Sequence, residues 1–122
     1  MPIKSLGYLG VRSNNVDDWK YFAGKVLAMQ LADHGGRQLS FRMDDLVQRL
    51  VVSDEPGETL AFIGWEVSQK SDLQYFAAKL DDAGHKVTEG GSELADRRFV
   101  ADLIVCSDPA GNRIELVWNP QK

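Results

Sequence analysis

Apolar residues at Ile3, Leu6, Tyr8, Leu9 and Val11 make the first ten-residue run, Ile3–Arg12, read as a strand. Gly7 and Gly10 inside it mark bends or close packing. The period then changes. Val16, Trp19, Phe22, Ala23, Val26 and Leu27 recur at helical spacing, after Asn14-Asn15 and beside Asp17-Asp18, whose short side chains accept hydrogen bonds from the free N–H groups that open a helix. Three short strands are expected next, around Leu31, at 39–43 and at 50–52, with Gly35-Gly36 as a hairpin turn beside His34. The polar stretch 54–58 is a turn, and the pattern then starts again. Leu60–Val67 reads as a strand and 68–84 as a helix that buries Leu73, Phe76, Ala77 and Leu80 and ends at Gly84. Strands at 87–88, 99–107 and 113–118 follow, separated by Gly90-Gly91, a short helical turn at 92–97, and the turn Asp108-Pro109-Ala110-Gly111.

The restart is visible residue by residue. At an offset of 54 positions Tyr21-Phe22-Ala23-Gly24-Lys25 falls on Tyr75-Phe76-Ala77-Ala78-Lys79, Tyr8 on Phe62, Gly10 on Gly64 and Asp18 on Asp72. At the end of each copy Gln48-Arg49-Leu50-Val51-Val52 matches Asn112-Arg113-Ile114-Glu115-Leu116. Self-similarity of this kind means one supersecondary unit used twice. The expected architecture is α+β, two tandem βαβββ modules at about 1–54 and 58–120, forming one domain over 1–122 with a partly open, barrel-like sheet.

Composition narrows the function classes. The 122 residues suffice for one domain with its own core. A net charge of −4 leaves no basic footprint for nucleic acid, and the doublet Arg97-Arg98 is read as solvated surface. No apolar run approaches the ~18 residues needed to span a bilayer. The single cysteine, Cys106, excludes an internal disulfide and fits a reducing, cytoplasmic compartment.

The two βαβββ modules, closing with Asp108-Pro109-Ala110-Gly111-Asn112-Arg113-Ile114-Glu115-Leu116, resemble the vicinal oxygen chelate superfamily (the glyoxalase/bleomycin-resistance/extradiol dioxygenase fold). More narrowly, the segments 3–10 and 60–67 are similar to the N-terminal domain of type I extradiol ring-cleavage dioxygenases of the biphenyl-2,3-diol 1,2-dioxygenase kind. That resemblance implies an oxidoreductase of aromatic hydrocarbon catabolism. Its catalytic domain holds iron(II) through two histidines and a glutamate, in the manner of a 2-His-1-carboxylate site. The corresponding positions here are Tyr8, Phe62 and Glu115, with Val51 as the counterpart of Glu115 in the first copy. Phenylalanine has no donor atom. No catalytic residue, metal or cofactor is therefore expected in this chain, and iron(II) is expected in a catalytic domain of the related family.

Two roles follow from the resemblance. In one, the chain is a structural, catalytically silent domain, or a lone paralogue of one, whose partner is a catalytic domain of the same enzyme or a second copy. In the other it is a stand-alone protein that sequesters a small aromatic ligand in a pocket edged by Tyr8, Val51, Phe62 and Glu115. For Glu115 the alternatives are a pocket carboxylate or a glutamate hydrogen-bonded to Tyr8 or to backbone. For Tyr8 and Phe62 they are ligand stacking or core packing.

The remaining chemistry is sparse. His34 and His85 lack a second ligand at hairpin or helical spacing and read as surface imidazoles. Cys106 lies in an apolar run and reads as a buried, inert thiol. The pairs Asp17-Asp18, Asp44-Asp45 and Asp81-Asp82 read as helix-start charge and solvated surface. Trp65 and Trp118 read as core, or as an oligomer contact if they face outward.

Overall fold

A computed structural model of the chain describes residues 3–33 and 38–122, with the side chain of residue 33 left out. His34 and the Gly35-Gly36 turn lie outside the described residues. The fold is α+β and divides into two compact units, Tyr8–Ala61 and residues 3–7 with Phe62–Gln121.

Eight strands and three α-helices are described: β1 (Ile3–Arg12), α1 (Val16–Tyr21), β2 (Gln30–Asp33), β3 (Gln38–Arg42), β4 (Leu50–Ser53), β5 (Leu60–Val67), α2 (Lys70–Asp82), β6 (Thr88–Glu89), α3 (Gly91–Arg98), β7 (Val100–Ser107) and β8 (Arg113–Pro120). In the unit of Tyr8–Ala61 the strands lie in the order β2-β3-β4-β1, and in the other unit in the order β5-β8-β7-β6. Each unit has one parallel pair, β1 with β4 and β5 with β8, and otherwise antiparallel ladders. The repeat read from the sequence reappears as register. Gly10 pairs with Val51 in one unit and Gly64 with Glu115 in the other.

Each unit buries one side of its sheet against its helix. Ala23, Leu39, Phe41 and Val52 form the buried centre of the first core, with Val11, Val16 and Trp19 packed around them. Val67, Leu73, Ile104 and Leu116 form the second, with Phe76, Ala77 and Leu80 from α2, the face that periodicity selected. Burying one such side chain stabilises the fold by roughly 1.5–3 kcal/mol. Helix α2 starts with a reciprocal cap: the Gln69 backbone N–H donates to the Asp72 carboxylate at 2.9 Å, and the Gln69 side chain accepts from the Asp72 backbone. Gly84, at φ +86, ends it in a conformation that glycine adopts without strain.

The first helix departs from simple periodicity. After Tyr21 it continues as a π-helical turn over Phe22–Val26, sealed by the Leu27 N–H donating to the Phe22 carbonyl at 3.0 Å. The wider turn rotates later residues out of register with the α-helical face. Ala23 is buried, while Phe22, Val26 and Leu27 are exposed. At Gly7 a Cβ would come within 3.2 Å of the Gly64 carbonyl oxygen, so glycine there permits a close backbone approach. Among the described residues no helix is long and apolar enough to cross a membrane.

Candidate functional site

Glu115 is the third residue of β8, and side chains alternate faces along a strand. Ile114 and Leu116 point into the core beneath α2, so Glu115 points to the opposite face, where it has no solvent exposure. An ionised carboxylate at such a position is costly unless it is paired. Arg98 pairs it. The Arg98 Nε donates to Glu115 Oε1 at 2.8 Å and Nη2 donates to Oε2 at 3.1 Å, a two-pronged contact. Arg113, two residues earlier on the same strand, donates from Nε to Oε2 at 2.9 Å.

Helix geometry delivers Arg98. It is the last residue of α3, one helical turn after Leu94 and on the same buried side as Leu94 and Ala95. Phe99 then adopts a left-handed conformation, φ 57, and turns the chain into β7. The Arg98 guanidinium carbon sits 3.9 Å from the centroid of the Phe62 ring, a cation–π contact inside the protein. Phe62 against the face of the guanidinium and Glu115 along its N–H edge therefore form one unit of aromatic ring, cation and carboxylate.

This overturns the reading of Arg97-Arg98 as solvated surface. Arg97 is exposed, but the Arg98 side chain is 10% exposed and ion-paired. The signal was present in the helical spacing from Leu94 and in a glutamate within an apolar strand, which calls for a counter-charge. The charge partners of Glu115 are two guanidinium groups, neither of them assigned to it from the sequence.

Of the four positions singled out for a pocket, Phe62 and Glu115 are brought together through Arg98. Tyr8 and Val51 belong to the other unit, and both are buried. Val51 lies in register with Ser40 on β3, so the two share a face. Ser40 is fully buried and its hydroxyl has no hydrogen-bond partner among the described residues.

The residues at the ligand positions do not fit a metal ion. Phe62 offers only a hydrocarbon ring, and both Glu115 oxygens are engaged by guanidinium N–H groups. Among the described residues no group of three or more histidine, cysteine, aspartate or glutamate side chains is placed to hold one.

Elsewhere, Asp44 is more than a solvated charge. Its hydrogen bonds from Arg49, the shortest at 2.7 Å, hold its carboxyl below the usual range. Cys106 is buried, and burial, followed by the charge of Asp108, pushes its thiol up. His85 is half-buried rather than a surface imidazole. Trp118 packs against the second core with Lys70 above its ring at 5.9 Å, whereas Trp65 is partly exposed.

This architecture, a βαβββ plan used twice with matching parallel pairs, is that of the vicinal oxygen chelate extradiol dioxygenases, and the chain resembles their N-terminal domain. The family described as dihydroxybiphenyl dioxygenase BphC D1 matches residues 6–57. Biphenyl-2,3-diol 1,2-dioxygenase of Sphingomonas paucimobilis is 35% identical over 122 residues, 99% of this chain and 41% of that protein. The 3-methylcatechol 2,3-dioxygenase of Pseudomonas putida is 38% identical over 118 residues, 97% of this chain and 40% of that protein. A crystal structure of catechol 2,3-dioxygenase superimposes with a TM-score of 0.93 at 33% identity, over 99% of this chain and 43% of that one. The chain thus spans about 40% of the length of the curated relatives it matches.

Proposed function

We propose that this chain serves as, or is a lone paralogue of, the metal-free N-terminal domain of an extradiol dioxygenase, an enzyme that opens catechol-type diols by inserting both atoms of O2. Its own role is structural, and it is catalytically silent by itself. The iron(II) chemistry belongs to a catalytic domain with which it is partnered. The observation that carries this reading is the occupation of Glu115. At the positions corresponding to metal ligands in the related family, Phe62 has no donor and Glu115 is committed to Arg98 and Arg113. A free cysteine, buried within β7, accords with a cytoplasmic setting. The test is anaerobic reconstitution of the purified protein with iron(II), followed by metal analysis and incubation with catechols under O2. We expect no stoichiometric iron and no ring-opened product. One iron per chain together with turnover would overturn the proposal.

A second reading, sequestration of a small aromatic ligand beside Tyr8 and Val51, is favoured by Ser40, whose buried hydroxyl lacks a protein partner on the Val51 face. A panel of catechols and aromatic acids in a thermal shift assay checks it, because a ligand that binds only the native state raises the melting temperature. A flat response removes this second reading.

A further inference from the structure

A separate cavity of about 290 Å³ lies on the helix-covered side of the second unit. Ile114 and Leu116 line it, and Glu115 between them faces the other way, so it is independent of the proposals above. Its walls are hydrocarbon: Ile3 from β1, Phe76 and Leu80 from α2, and the two β8 residues. Water gains little in such a space, whereas an apolar cavity of roughly 150 Å³ already accepts a benzene ring. The volume here leaves room for a ring with a substituent.

The polar corner is built from His85 and the turn after β7. The Asp108 carboxylate is consumed by its own turn, accepting from the backbone of Ala110 and Asn112 at 2.9 and 2.8 Å and from Asn112 Nδ2 at 3.0 Å. The Cys106 thiol, which also lines the cavity, is kept in its neutral form by burial. His85 is held in place by its backbone N–H, which donates to the Leu80 carbonyl at 2.9 Å. Its imidazole makes no hydrogen bond to any described residue, although it is half-buried at the cavity. The space therefore offers apolar walls, one aromatic ring, no uncommitted carboxylate, the exposed residue Ser107 with its hydroxyl, and one half-buried imidazole able to give or take a hydrogen bond.

We propose that this cavity is a binding site for a neutral single-ring aromatic molecule bearing one hydroxyl group, a phenol, with its ring between Phe76, Leu80 and Leu116 and its hydroxyl on His85. A charged ring would have to leave its counter-ion and hydration at the mouth, and a ring without a polar group would leave the imidazole unused.

The experiment is methyl and imidazole NMR of the whole chain, titrated in parallel with phenol, toluene and benzoate. Phenol is expected to shift the Leu80, Ile114 and Leu116 methyls together with the His85 ring signals. Toluene should move the same methyls with up to about tenfold weaker affinity, the worth of one hydrogen bond. Benzoate should leave them in place. In His85→Leu, a change at a half-exposed position, phenol should fall to the affinity of toluene or below it, because its hydroxyl is left without a partner, while toluene is unaffected. Methyls that stay unmoved at saturating phenol, shifts confined to another part of the chain, or phenol affinity unchanged in His85→Leu would each refute the assignment. An intact native spectrum of the variant, recorded first, separates lost binding from lost fold.

Discussion

Replacing Arg98 by methionine keeps much of the side-chain volume and deletes the charge that faces Glu115. The carboxylate, with 0% exposure, then keeps the guanidinium of Arg113, whose own side chain is 43% exposed, but loses its two-pronged, buried charge partner. Removing one partner of a buried ion pair costs about 3–5 kcal/mol, because the other charge stays desolvated. Loss of the guanidinium from the Phe62 ring, 3.9 Å away, adds about 0.5–1 kcal/mol. Against a total stability of about 5–15 kcal/mol for a domain, this is a large fraction. For a chain of this size it corresponds to a fall of roughly 10–20 °C in melting temperature. The double variant Arg98→Met with Glu115→Leu removes both charges from the same space. It should return to within about 1 kcal/mol of the parent or exceed it, since apolar replacements of buried pairs are often neutral or stabilising. Urea unfolding followed by tryptophan fluorescence gives both numbers on one scale. If Arg98→Met alone stays within about 1 kcal/mol of the parent, or if the double variant is no better than the single, the pair is not the buried, mutually dependent unit described here.

Cys106, buried and with its thiol pushed up by desolvation and by the charge of Asp108, should react very slowly with a thiol reagent at pH 8 in the native state and at once in denaturant. Rapid native labelling would contradict its burial. The Asp108 carboxyl is held below its usual value of 3.8, first by the Asn112 side chain and then by backbone N–H groups of the turn. A depressed folded-state value means that its contribution is present above the ordinary aspartate range and is lost as pH falls through the lowered one. Unfolding curves of the parent and of Asp108→Ala should accordingly converge as the pH drops below about 4 and separate above it. Curves that run parallel across that window would show that the turn does not depend on the charge.

Much of this architecture was legible because it rests on local signals. The stripe Leu73, Phe76, Ala77 and Leu80 and the breaker Gly84 define α2 with no tertiary information, although the reciprocal cap of Gln69 and Asp72 sets its start two residues later than the expected 68. The short helical turn expected at 92–97 is α3, Gly91–Arg98, one residue longer at each end. The internal repeat anticipated which strand positions correspond, and the pairs Gly10 with Val51 and Gly64 with Glu115 carry that correspondence into backbone register. What escaped was decided by the third dimension. An arginine at the end of a short polar helix reads as surface until a buried carboxylate 17 residues later in the chain is found opposite it. Helical spacing through Val26 and Leu27 does not reveal that one wider turn swings them to solvent. His85 follows a helix-ending glycine, which says nothing about the cavity that the first strand and the last turn assemble beside it.

One end strand of each unit, β6 and β2, has a bearing on how the protein behaves when crowded. β6 offers only Thr88 and Glu89 to its neighbour β7, and β2 loses its regular register between Leu31 and Asp33. A foreign strand seeking to extend either ladder would meet two residues carrying a charge on one side and a bulge on the other. Flat, uncharged edges act as templates for chain-to-chain pairing, and short or distorted ones do not. At these two edges the same irregularities that look like imperfect sheet-building thus work against β-sheet aggregation at high concentration.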